Sequence, residues 1–103
     1  MIRAKTDGSQ AEIVVALRSA GAKVHSLAAA GRGVPDLIAF VPTADLDLIT
    51  QTAERLGGVY LLIEVKTGNS RLTARQEMWH EAWGRRAIDI VRSGVDALRL
   101  IGR

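Results

Sequence analysis

At 103 residues and a formal charge of +3, the chain is sized for one domain and leans towards polyanionic partners such as nucleic acid. It contains no cysteine, which excludes thiol catalysis and cysteine-based zinc sites and fits a reducing compartment. No apolar run approaches the length of a membrane span, and the first residues lack the apolar core of a secretory signal, so the expected setting is the cytoplasm.

In chain order, Asp7 or Ser9 is placed to cap a first helix starting near Gln10. Ile13, Ala16, Leu17 and Ala20 recur at helical spacing as far as a terminator at Gly21. Glu12 falls in the first turn of that helix, where a carboxylate suits the dipole. Residues 22–27 alternate as a short strand, and 31–35 (Gly-Arg-Gly-Val-Pro) are turn material. Residues 36–41 form a largely buried strand stopped by Pro42. Between 43 and 58, Leu46, Ile49, Ala53 and Leu56 lie at helical spacing ahead of Gly57-Gly58.

Residues 59–66 are a β-rich apolar run that ends in two charges, Glu64 and Lys66. Thr73 with Gln76 makes a capping box for a helix over 74–85. Residues 87–92 read as a last strand and 93–98 as a closing helix. The order α-β-β-(α)-β-α-β-α predicts a mixed sheet flanked by helices, an α/β (α+β) fold.

Strand alternation puts Glu64 and Lys66 on one face, with Ile63 and Val65 on the other. A carboxylate and an ammonium so placed can simply pair with each other. Asp36 opens the other strongly apolar strand. If the two strands are neighbours, two carboxylates meet, and two hard oxygen ligands with open water positions are a usual way to hold magnesium. Alternatively, Asp36 caps its own turn through backbone N–H groups.

Four blocks then stand in order: Gly33-Val34-Pro35-Asp36-Leu37-Ile38, Ile63-Glu64-Val65-Lys66, Leu72-Thr73-Ala74-Arg75-Gln76 and Ile90-Val91-Arg92-Ser93. Together they closely resemble the VRR-NUC domain, a branch of the PD-(D/E)XK nuclease superfamily, over nearly the whole chain. The resemblance implies a restriction-endonuclease-like fold and a metal-dependent deoxyribonuclease using Mg2+, with Mn2+ as a substitute and no organic cofactor. It implies that Asp36 and Glu64 bind the metal with the Val65 carbonyl, and that Glu12 reaches it through water. Lys66 would orient the attacking water, and Gln76 would lie beside the lysine.

Similar compact members resemble Holliday-junction resolvases and are associated with phages. Branched or flapped DNA and a homodimer are therefore the expected partners. Arg92 matches the first arginine of the Val-Arg-Arg signature, whereas Ser93 replaces the second. Arg32, Arg71 and Arg75 flank the expected site and are suited to phosphate contacts. The connection between the two catalytic strands is longer than a minimal hairpin.

His25 and His80 have no implied role. Trp79 and Trp83, four apart, share a helical face and read as core or subunit contacts. Two other functions compete with the nuclease. One is a nucleic-acid-binding module of the same fold that no longer cuts. The other is a small structural or interaction protein whose charges are caps and ion pairs.

Overall fold

A computed structural model describes residues 2–42 and 57–103. The helix expected over 43–58 falls almost wholly outside these residues. Helix α1 (Ile2–Ser19) begins well before Gln10, because the good helix formers Ala4 and Lys5 carry it upstream of Asp7 and Ser9. Those two residues therefore lie inside the helix and not at its start. It ends as expected at Gly21, whose φ of +98° is left-handed.

Strands β1 (Lys23–Ser26), β2 (Leu37–Pro42), β3 (Gly58–Val65) and β4 (Ile88–Val91) form one sheet in the order β1-β2-β3-β4. β2 runs antiparallel to both β1 and β3, and β4 lies parallel to β3. A parallel neighbour needs a crossover, which contains helix α2 (Ala74–Trp83). Helix α3 (Gly94–Leu100) closes the described chain.

Leu37, Ala39, Val41 and Ile63 project from one face of the sheet. With Val91 they form a single core with Ile13 and Leu17 of α1 and Ala97 of α3. The opposite face carries Glu64, and α2 covers that end of it through the contacts described below. This mixed sheet with helices on both faces is the α+β, restriction-endonuclease-like architecture expected from the sequence. Among the described residues, no helix is long and apolar enough to cross a membrane.

Candidate active site

Antiparallel pairing of Leu37 with Ile63 brings Asp36 and Glu64 opposite one another, one residue further along each strand. Asp36 Oδ2 accepts a hydrogen bond from the Val65 N–H at 2.8 Å. Its carboxyl group lies beside that of Glu64, close enough to help raise the Glu64 pKa. The Asp36 carboxylate thus serves β3 and not its own turn, which sets aside the turn-capping alternative. Its carbonyl accepts from the Leu27 N–H at 2.7 Å, and Pro35 beside it is buried, so the backbone here has little freedom.

The preceding loop is pressed onto the start of α2. Gly33 has φ +82°, and a Cβ there would lie 2.3 Å from the Arg75 carbonyl oxygen. Arg32 adopts φ +57°, the single described non-glycine residue with positive φ.

Glu64 is fully buried among its neighbours (0% exposed) although it carries a carboxyl group. Both of its oxygens are engaged by α2: Gln76 Nε2 donates to Oε2 at 3.1 Å, and His80 Nε2 lies 3.1 Å from Oε1. Burial pushes its pKa up to about 8. Asp36 adds to the rise by accepting a hydrogen bond from the protonated Glu64 carboxyl and through its charge, and Lys66 opposes it. Among the described residues, Glu64 and Lys66 form no ion pair, so the lysine acts on this carboxyl through its field rather than by contact.

Two neighbouring carboxyl groups cannot both ionise cheaply, and a cation can take the place of the proton that Glu64 keeps up to about pH 8. That donor set fits a hard divalent ion. Among the described residues no three His, Cys, Asp or Glu side chains are disposed around one metal position. A pair of carboxylates completed by backbone and water is the pattern that magnesium favours.

Gln76 acts in two structures at once. Its Oε1 accepts from the Thr73 N–H at 2.8 Å and closes the capping box, while its Nε2 holds Glu64. Lys66 follows β3, and its N–H bonds the Val91 carbonyl at 3.1 Å. Val65, whose carbonyl is a candidate ligand, lies at the end of β3.

Glu12 is engaged at the start of α3. Its Oε2 accepts from the Gly94 N–H at 2.8 Å, satisfying a free donor at the start of α3, and among the described residues it bonds none of Asp36, Glu64 and Lys66. Ser93 is the N-cap of the same helix and accepts from the Asp96 N–H at 3.1 Å. The serine found in place of a signature arginine therefore has a structural task.

The four arginines separate. Arg32 and Arg75 line one open groove of about 510 Å³ with Met78, Trp79 and Ala82. Arg92 donates to the Gly68 carbonyl at 2.7 Å and ties the loop after β3 to the end of β4. Arg71 is exposed on that loop.

Trp79 and Trp83 stack with ring centroids 4.9 Å apart and planes 8° from parallel. Trp83 is 66% exposed, which overturns a core role for it. His80 is the site residue that sequence reasoning leaves without a role. Its position four residues after Gln76, on the same helical face, is the signal that points to it.

Comparison with known proteins gives one assignment: a model of the VRR-NUC domain matches residues 4–96. The same comparison finds no match among curated proteins and none among solved structures.

Proposed function

The chain belongs to the VRR-NUC family, and from that premise of a PD-(D/E)XK-type nuclease we propose that it is a magnesium-dependent DNA endonuclease. The observation behind this reading is the juxtaposition of Asp36 and Glu64 at the adjoining ends of β2 and β3, where Asp36 helps to raise the Glu64 pKa. In this proposal the two carboxylates and the Val65 carbonyl hold the ion, Mg2+ or Mn2+, and Glu12 approaches it through water from its free oxygen.

When bound, the ion screens the phosphodiester charge and lowers the pKa of a water molecule. Lys66 positions that water and offsets negative charge growing on the phosphorus oxygens. Gln76 keeps Glu64 in place. Arg32 and Arg75 in their shared groove, with Arg71 on the loop after β3 and Arg92 at the end of β4, bind backbone phosphates. The buried Glu64 carboxyl beside Asp36 also weighs against a binding module that no longer cuts: burying an acid is costly, and a protein that needs only a basic face gains nothing from it.

The proposed substrate is branched or flapped DNA, cut by a homodimer whose two sites match the symmetry of a four-way junction. Phage-encoded action in the host cytoplasm belongs to the same reading. The test is cleavage of labelled duplex, flap and four-way-junction DNA with magnesium, manganese or a chelator, beside Lys66→Ala. Metal-dependent cutting that falls by roughly 100-fold or more in the variant supports the proposal. Binding without cutting would make the protein a binding module, and one-sided cutting by a monomer would remove the dimer.

A further inference from the structure

On the α2 side the carboxyl of Glu64 is held at both oxygens. Gln76 and His80, one helical turn apart on α2, reach its two oxygens at 3.1 Å each. A carboxylate has about four lone-pair sites, so two donors on the α2 side leave the others turned towards Asp36. His80 is 2% exposed and Glu64 0%, so no solvent competes for this contact.

We propose that His80 is a positioning residue for the metal-binding carboxylate: its Nε2–H fixes Oε1 of Glu64 so that the remaining lone pairs face Asp36. The inference rests on the nuclease reading above, because it assigns a task towards the ion which that reading requires. Gln76 alone cannot perform the task. A single donor lets the carboxylate pivot about the bond it makes, whereas two donors on separate oxygens fix its plane.

The chemistry also fixes the tautomer. A Glu64 that holds a cation has given up its proton and can only accept, so the imidazole must carry its proton on Nε2 and donate. Outer contacts of this kind orient ligands, and their loss typically lowers metal affinity by about 10- to 100-fold.

The test is Mn2+ titration by calorimetry on wild type, His80→Leu and His80→Gln, with the melting temperature of each. Leucine fills the space and donates nothing, while the glutamine amide can still donate at about the reach of Nε2. The expected result is a drop of about 10- to 100-fold for leucine and at most a few-fold for glutamine. A folded His80→Leu protein that binds Mn2+ like wild type overturns the inference and leaves the nuclease reading standing, as do equal losses in both variants. A wild-type protein that binds no divalent ion overturns both.

If His80→Leu does not fold, nitrogen-15 NMR of the wild-type histidines decides. The inference requires a His80 ring that carries a proton on Nε2 when Mg2+ is bound, with a resonance that shifts when Mg2+ is added. A Mg2+-bound protein whose His80 Nε2 has no proton, or a ring indifferent to Mg2+, overturns it.

Discussion

Gln76 closes a helix cap with one end of its amide and holds the buried carboxyl of Glu64 with the other, at 2.8 Å and 3.1 Å respectively. The start of α2 and the strand that carries the site are therefore fixed by the same side chain. The two tasks separate by mutation. Thr73→Ala removes the hydroxyl that accepts from the Gln76 N–H and is expected to cost about 1 kcal/mol of stability with cleavage nearly intact. Gln76→Ala is expected to cost more, because Oε2 of Glu64 loses its donor in a buried place, and to lower metal affinity as well. Chemical denaturation paired with a cleavage assay checks both; equal effects in the two variants would show that the Glu64 contact contributes nothing.

The raised pKa of Glu64 sets a pH dependence. Its pKa is about 8 when folded against 4.5 for an ordinary glutamate, so between those values the unfolded chain has lost a proton that the folded protein keeps. Stability from this group is whole below about pH 4.5, falls as pH rises and levels off above about 8. His80, lowered from 6.5 by burial, acts in the opposite direction below that value. The fall is therefore cleanest between pH 6.5 and 8. Thermal melting of metal-free protein across this window is expected to show it, and saturating Mg2+ or Glu64→Gln is expected to flatten it.

Gly33 is where the loop before Asp36 meets the start of α2. Its φ of +82° and the 2.3 Å that would separate an added Cβ from the Arg75 carbonyl oxygen leave no room for a side chain. Gly33→Ala is expected to destabilise by roughly 1–3 kcal/mol and to reduce cleavage by shifting Asp36. Gly31, whose φ is +60° with nothing within 4 Å of an added Cβ, is the control: Gly31→Ala bears conformational strain without the clash and is expected to leave cleavage closer to normal. Melting temperatures and cleavage rates of the two variants, measured side by side, check the difference.

Glu12 carries a helix end and a proposed metal role at once. Glu12→Gln keeps an oxygen for the Gly94 N–H and loses only the charge, so stability is expected to change by about 1 kcal/mol or less. If its free oxygen serves the ion through water, Mg2+-dependent cleavage falls several-fold while the melting temperature holds. Unchanged cleavage would confine Glu12 to the start of α3.

The strands and the capping box of α2 are plain in the sequence, because apolar runs and the Thr73–Gln76 spacing are local signals. Alternation alone places Glu64 and Lys66 on one face. The meeting of Asp36 with Glu64 is not legible in this way, since it depends on β2 pairing with β3 in one register, and pairing leaves no periodic mark. His80 escapes for a related reason: four-residue spacing gives its face, but its burial comes from α2 lying over β3. The early start of α1 is hidden by Asp7 and Ser9, which are good caps that happen to lie within a helix. Trp83 misleads because an aromatic pair at helical spacing reads as core, and exposure is decided by what the rest of the chain covers.

Asp36 and Glu64, in the proposed function, hold a divalent ion in place of the proton that Glu64 otherwise keeps near neutral pH. Calorimetric Mg2+ binding at pH 7 in two buffers of different ionisation enthalpy, on wild type and Glu64→Gln, measures that exchange directly. With a Glu64 pKa of about 8, binding is expected to release about one proton per ion and to be lost in the variant. Binding without proton release, or binding undiminished in Glu64→Gln, would contradict it.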